Sequence, residues 1–477
     1  MKTQPIFDSS GLNYQQTRIT HWDAVAQKRD HWIGAGSWYH RRLAEICAFH
    51  ISPNQRVLEI GCADGRLLAA VKPARGVGVD FSEEMPARAW QHHPEFEFIH
   101  ADAHDLSEIQ ETFDIIILSD LINDLWDVQR VFEQIRPLCA NHTRIILNFY
   151  SRLWQAPLSL AQKLNLATSN LYQNWLTRED VQDLLLLAGF ESVLHTQEVL
   201  LPLPWSGWAN RFLVRFWPFY HLAISNFVIA RPRPEPVAKS SVSVIVPARN
   251  ESGNIKAIFE RVPQMGSATE LIFVEGHSKD DTFAAIEREI VAHPSTPSLL
   301  LRQTGIGKAD AVRLGFEKAS GDVLMILDAD LTVSPEDLPR FYEALVSGKG
   351  EFINGVRLVY PMEKEAMRTL NFLGNKFFSL AFSWLLGQPI KDTLCGTKVL
   401  WKKDYEKITR NRSYFGDFDP FGDYDLIFGA AKLNLKIVDL PIRYRERTYG
   451  STNISRWKHG LLLLRMVAFA ARRIKFV

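Results

Sequence analysis

Four cysteines in 477 residues (Cys47, Cys62, Cys139 and Cys395) are too few and too widely spaced to staple the chain, and none belongs to a CxxC pair. A disulfide-built scaffold is excluded, and the thiols read as reduced groups of a cytoplasmic protein. Charge of one sign is lacking as well. The 55 basic and 54 acidic residues leave a formal net charge of +1, which gives no reason to expect nucleic acid as a partner. Long apolar runs are also missing: a bilayer span needs about 20 predominantly apolar residues. The stretches at 377–386 and 461–471 are shorter, and Arg465 interrupts the second. The first thirty residues show no basic start, apolar core and small-residue cleavage site, so no secretory leader is expected. What remains is a globular balance, 46% hydrophobic and 23% charged, on a chain long enough for at least two domains.

Two α/β segments are expected, separated by a proline-rich, apolar-poor linker at 231–241. In the first, residues 1–230, short apolar runs at 56–60, 76–79, 96–100, 113–118 and 144–149 alternate with helical patterns, and a last strand falls at 226–230. In the second, residues 242–456, runs at 242–246, 270–274, 298–302, 323–327 and 351–356 repeat the alternation. Strands alternating with helices predict parallel sheets covered on both faces. Residues 457–477 are expected to form an amphipathic basic tail.

In the first segment, VLEIGCADGRLLAAV sets Gly61 and Gly65 between an apolar strand and an apolar helix, where glycine lets backbone approach a ligand at the helix N-terminus. Asp80 ends the next strand, where an acid can accept both ribose hydroxyls of a nucleoside. Asp102 follows a third strand, and Asp120, Asn123, Asp124 and Asp127 follow a fourth, with no single base standing out among them. Residues 20–230 resemble class I S-adenosylmethionine-dependent methyltransferases, carried by the E-x-G-x-x-x-G form from Glu59 to Gly65. The resemblance implies a Rossmann-like fold and S-adenosylmethionine as co-substrate. It places the methionine part at Gly61, the ribose at Asp80 and the adenine at Asp102, with Glu59 and Gly65 also in the co-substrate site.

The second segment opens on SVSVIVPARNE, a strand that runs into Pro247, Asn250 and Glu251. The next strand ends with Glu275, Ser278 and Asp281, and RQTGIGKAD brings Lys308 to a helix start. In VLMILDADLT, Asp328 and Asp330 emerge together from an apolar run, hard oxygen donors suited to Mg²⁺ or Mn²⁺. This ordered set resembles family 2 glycosyltransferases of the GT-A nucleotide-sugar fold over residues 241–458, and among them the dolichyl- and polyprenyl-phosphate sugar synthases. The second motif departs from the family's DDGS, having Glu275, Gly276, His277 and Ser278. The resemblance implies a nucleoside-diphosphate sugar donor, a metal at Asp328 and Asp330, Asp330 as a catalytic group, and an acceptor region around Asp392 and Gly396. Asp423 and Asp425 are candidates for base or acceptor roles, although acids at a helix start also stabilise the helix. Arg443, Arg445 and Arg447 recur at period two, so in an extended chain they share one face for phosphate oxygens. In the synthases an R-x-x-G-x-S-K run follows; Arg447, Gly450 and Thr452 match it loosely, and Asn453 replaces its lysine.

Lys458, Arg465 and Arg472 lie seven residues apart on one stripe of the acid-free tail, which suits an anionic membrane surface. Residues 372–386 offer a second apolar surface, and for both segments the alternative is core or an oligomer interface. The expectation is therefore a bifunctional enzyme, peripheral on the cytoplasmic face of a membrane. It transfers sugar with inversion to polyprenyl phosphate and methyl to an acceptor the sequence does not name. The alternative is a glycosyltransferase for a soluble or glycan acceptor, regulated by an S-adenosylmethionine-binding N-terminal module that methylates nothing.

Overall fold

The computed structural model describes residues 9–28, 35–164, 171–203, 205–237, 239–357, 359–360, 369–411, 423–445, 447, 449 and 456–477. The chain divides into two units between Arg233 and Pro234, with Phe476–Val477 counted in the first.

The N-terminal unit is built on strands β1 (Arg56–Ile60), β2 (Arg75–Asp80), β3 (Glu97–His100), β4 (Phe113–Ser119), β5 (Cys139–Tyr150), β6 (Phe190–Glu198) and β7 (Ser225–Pro232). Their order in the sheet is β3-β2-β1-β4-β5-β7-β6, with β7 antiparallel to both neighbours and the other pairs parallel. Strand order reverses between β1 and β4, which opens a crevice at their C-terminal ends. Alternate residues of one strand feed different cores: Leu58 packs in one cluster and Val57 in another. That two-sided burial explains the unbroken apolar runs.

The C-terminal unit repeats the plan with β8 (Val242–Ala248), β9 (Thr269–Glu275), β10 (Ser298–Arg302), β11 (Val323–Ile326), β12 (Phe352–Val356), β13 (Lys398–Trp401) and β14 (Ile437–Pro441). The order is β10-β9-β8-β11-β13-β12-β14. Strand β13 runs antiparallel to β11 and β12, so this sheet is mixed too. Ile245 joins one core while Val244 and Val246 join the other.

Three findings differ from the sequence reading. Each sheet contains a reversed strand, so neither is wholly parallel. Strand β7 continues through Arg231 and Pro232, which were read as linker; Arg231 is fully buried and its Nη2 lies 2.6 Å from Glu191. The third concerns the tail, which packs by one face and leaves another exposed. Helix Arg456–Ala470 buries Leu463, Met466 and Ala470 in the same core as Phe378, Phe382 and Leu385 of helix Thr369–Leu386. Phe377, Leu380, Leu461 and Leu464 stay exposed. The hydrophobic gain from covering the end of a sheet core decides which face turns inward. No helix among the described residues is long and apolar enough to cross a membrane.

Candidate functional site

The turn after β1 is shaped by backbone that only small residues tolerate. Gly61 has φ +75°, and a Cβ there would lie 3.0 Å from Leu121 Cδ1, so the turn is pressed against the segment leaving β4. Gly65 has φ +77° and begins helix Arg66–Val71, with the Phe98 ring 2.8 Å from where its Cβ would be. Asp80, at the end of β2, holds this turn: Oδ2 accepts from Ala63 N at 2.9 Å and Oδ1 from Ser82 N at 3.0 Å. Glu59 is buried within β1. Glu59, Gly61, Gly65 and Asp80 are thus gathered at one sheet edge.

Asp102 stands at the same edge beyond β3. Its Oδ1 accepts from His104 N at 2.7 Å and lies 2.6 Å from His104 Nδ1, while Gln15 Nε2 donates to Oδ2 at 2.5 Å. Burial works against its charge, but these hydrogen bonds hold the carboxyl below the usual range. Asp127 N bonds His104 Nε2 at 3.1 Å, which assigns the imidazole proton to Nδ1. Gln15 belongs to helix Ser9–Lys28, an element the motif reading did not connect to the site.

The fourth-strand window has a more definite centre than its sequence suggests. Asp120 follows β4 with φ +54°. Its Oδ1 accepts from Tyr39 Oη at 2.7 Å and Asn148 Nδ2 at 2.6 Å, and its buried Oδ2 has no partner among the described residues. Burial pushes this carboxyl up to about 7 despite those donors, with Asp124 adding to the rise. Burial also raises Asp124, against the pull of Arg18 at 3.8 Å. Neither Tyr39 nor Arg18 carries a local motif; topology alone brings them to the strand end.

In the C-terminal unit the loops after β8 and β9 are laced together. Ser278 Oγ accepts from Asn250 N at 3.0 Å, Asn250 Oδ1 from Lys279 N at 2.7 Å, and Glu275 Oε1 from Ser278 N at 2.5 Å. Asn250 and His277 both have positive φ, near +57°. Pro247 sits in β8 opposite Val274. Asp281 is placed differently: it begins helix Thr282–Ala292, is largely exposed, and lies 3.9 Å from Arg288.

The two aspartates after β11 each meet a cation. Lys308 Nζ is 2.5 Å from Asp328 Oδ1, at the start of helix Lys308–Lys318. Burial opposes ionisation of Asp328, but Lys308 first, then Lys398 and Arg357, keep its carboxyl below the usual range. Gly396 completes the wall, because a Cβ there would fall 2.1 Å from Asp328 Oδ2. Asp330 Oδ1 accepts from Thr332 Oγ1 at 2.8 Å, and its Oδ2 receives Arg447 Nη2 at 2.6 Å. Arg447 Nη1 also reaches Glu251 Oε1 at 3.2 Å, while Asn254 Nδ2 holds Oε2 at 2.8 Å. Burial drives the Glu251 carboxyl up to about 7, with Arg447 opposing the rise and Asp330 adding to it.

The segment after β14 reaches across this array. Tyr444 bridges to Val333, Arg445 N donates to Thr332 O at 3.0 Å, and Tyr449 Oη lies 3.0 Å from Ser252 Oγ. Of the three period-two arginines, Arg447 enters the carboxylates, Arg443 lies over the Tyr360 ring, and Arg445 is exposed. Asp392 grips Arg357 through two bonds of 2.7 and 2.9 Å beneath the site. Asp425 pairs with Arg313 at 3.1 Å. The Asp423 side chain, Gly450, Thr452 and Asn453 lie outside the described residues.

Residues 57–142 match the methyltransferase domain profile, and residues 243–409 match glycosyl transferase family 2. Among curated relatives, the glycosyltransferase AglJ of Haloferax volcanii is 28% identical over 222 residues, 46% of this chain and 68% of that protein. The dolichol-phosphate mannosyltransferase of Pyrococcus furiosus is 35% identical over 218 residues, 45% of this chain and 59% of its own length. The match to the dolichol-phosphate mannosyltransferase of Saccharomyces cerevisiae is 38% over 109 residues, 22% of this chain and 40% of that one. Two of these three relatives are thus spanned over less than two thirds of their length. Glucosyl-3-phosphoglycerate synthase from Mycobacterium tuberculosis, solved with Mn²⁺, UDP and product, aligns at 18% identity and TM-score 0.36 over 49% of this chain and 80% of its own. The chain therefore carries a methyltransferase domain followed by a family 2 glycosyltransferase domain.

Proposed function

We propose that the C-terminal domain transfers a sugar, with inversion, from a nucleoside diphosphate to polyprenyl phosphate, and that the N-terminal domain methylates an acceptor from S-adenosylmethionine. The observation that carries the first part is the alternating array of Lys308, Asp328, Asp330, Arg447 and Glu251 at the ends of β8 and β11. Such an edge suits a nucleoside diphosphate: Lys308 and Arg447 offer donors to its phosphates, and the laced loops from Asn250 to Ser278 shape a floor for base and ribose. Asp328 and Asp330 would hold Mg²⁺ or Mn²⁺. Asp330 Oδ2 already accepts a cation at 2.6 Å, and these metals take one or two carboxylates plus substrate phosphates rather than a full protein cage. Bound there, the metal would offset charge gathering on the departing diphosphate.

Two polyprenyl-phosphate classes recur among the relatives, dolichol-phosphate mannosyltransferases and undecaprenyl-phosphate 4-deoxy-4-formamido-L-arabinose transferases, and they support a lipid phosphate as acceptor. Such an acceptor is already anionic, so it needs little help from a base, and Asp425 can stay engaged with Arg313. A soluble acceptor is the second reading, favoured by the burial of one face of the tail helix. In the N-terminal domain, Gly61, Gly65, Asp80 and Asp102 would seat S-adenosylmethionine, and Asp120 with Tyr39 would face the methyl acceptor.

Calorimetric titration with uridine and guanosine diphosphates, with and without Mn²⁺, tests the donor site. Metal-dependent binding is expected, weakened about 10-fold or more by Asp330→Asn through loss of a charged ligand. Equal binding by this variant, or binding indifferent to metal, would remove the assignment.

A further inference from the structure

Two segments of the N-terminal unit hold large apolar side chains out in solvent. In 205–222 an internal polar frame fixes the chain: Asn210 Oδ1 accepts from Leu200 N and Leu201 N, both at 2.8 Å, and buried Ser206 donates to Leu201 O at 2.6 Å. Arg215 Nη2 is anchored on buried Glu198 at 2.9 Å. The large apolar groups face solvent instead, with Trp205 74%, Trp208 64% and Trp217 75% exposed. Segment 152–164 likewise exposes Leu153, Leu160 and Leu164. The two are stitched together, since Trp154 Nε1 donates to Leu222 O at 2.9 Å. Single exposed apolar residues are ordinary, but several on two linked segments, one of them held by an internal polar frame, mark a contact surface.

Charge identifies what it contacts. No Asp or Glu occurs from 134 to 178 or from 199 to 234, while Arg152, Lys163 and Arg211 are exposed within the two segments. Beside Trp208 a cleft of ≈ 310 Å³ is lined by Trp38, Arg41, Arg42, Arg211 and Phe212. Glu45 pairs with Arg41 and Arg42 there, and Arg42 is further held by Glu198 and by Val477 O at 2.6 Å, which leaves Arg211 and the outer edge of Arg41 toward solvent. Tryptophan prefers the headgroup level of a bilayer, where its ring is apolar and its N–H is wet, and cationic side chains there attract anionic lipid. We infer that this surface docks the N-terminal unit on an anionic membrane, with Trp205, Trp208 and Trp217 in the headgroup layer and the Arg41 and Arg211 cleft taking lipid phosphate. The contact goes beyond the proposed function: it belongs to the methyltransferase domain and requires no polyprenyl phosphate.

Flotation of the full chain with phosphatidylcholine vesicles, with and without phosphatidylglycerol and free of polyprenyl phosphate, tests it. The wild type is expected to float with phosphatidylglycerol vesicles, and brominated acyl chains to quench its tryptophan emission. Trp205→Ser/Trp208→Ser/Trp217→Ser should weaken binding about 10-fold or more with unchanged circular dichroism. Arg41→Gln/Arg211→Gln should lower binding to anionic vesicles and match wild type on pure phosphatidylcholine. A wild type that stays with the unbound protein, or a triple variant that floats equally well, overturns the inference. So does a triple variant that loses self-association while floating as before, which would mark an interface between copies. Should the triple variant not fold, quenching of the wild type by bromolipid decides. Sugar transfer to polyprenyl phosphate in detergent needs no bilayer, so failure there leaves this result standing.

Discussion

Asp120 keeps one carboxylate oxygen closed off from water without a donor, and that cost must appear in the stability of the protein. Its folded carboxyl titrates at about 7, whereas an unfolded aspartate titrates near 3.9. The native state therefore binds the extra proton between these values, and stability falls as pH rises through that window. Asp120→Asn removes the charge and keeps an acceptor for Tyr39. Thermal melts should show the variant gaining on wild type between about pH 4 and pH 7, by on the order of 2–4 kcal/mol, with no further gain above. A difference that does not change with pH would refute the assignment. Residues like this are poorly legible in a sequence. SDLINDLWD shows a cluster of acids, but Tyr39 and Asn148, which single out Asp120, are brought in by helix Ala35–His50 and by β5. Asp328 and Asp330 were legible because both lie in one short run whose strand delivers them together. Their partners Lys308 and Arg447 come from 20 residues before Asp328 and 117 after Asp330.

At the scale of elements, alternating apolar runs identified the central strands well, since strands buried on both faces are continuous in hydrophobicity. β6, β13 and β14 escaped. β6 is half-buried along most of its length, β13 has four residues and begins with a buried lysine, and β14 carries an aspartate in its middle. The tail helix stays open between membrane surface, core and oligomer interface in the sequence for a related reason: periodicity locates a stripe of charge but not what the opposite face meets. Its packing gives a sharp contrast between neighbours. Leu463→Ala should cost about 2–4 kcal/mol in urea unfolding, and Leu464→Ala less than about 0.5 kcal/mol. Equal effects would mean the helix is not seated in the core as described. Substitution of Gly396 by alanine belongs at the same scale, because its Cβ would strike Asp328 and displace Lys308.

Across the whole molecule, each unit closes its own sheet over its own clusters of buried residues, and each sheet edge carries its own set of polar groups. Substitutions should therefore separate the two functions. Asp80→Asn is expected to weaken S-adenosylmethionine binding at least about 10-fold, since its carboxylate shapes the turn and faces the ribose position, and to leave sugar transfer unchanged. Parallel loss of both activities would show that the sites are not independent. The central claim concerns sugar transfer. Its most direct test supplies purified protein and Mn²⁺ with labelled nucleoside-diphosphate sugars and polyprenyl phosphate, beside an Asp330→Ala control, and follows label into organic solvent. Label in the lipid phase that disappears with Asp330→Ala is the expected result. Label that reaches the lipid equally without Asp330, or donors that are neither transferred nor hydrolysed by the wild type, would contradict it.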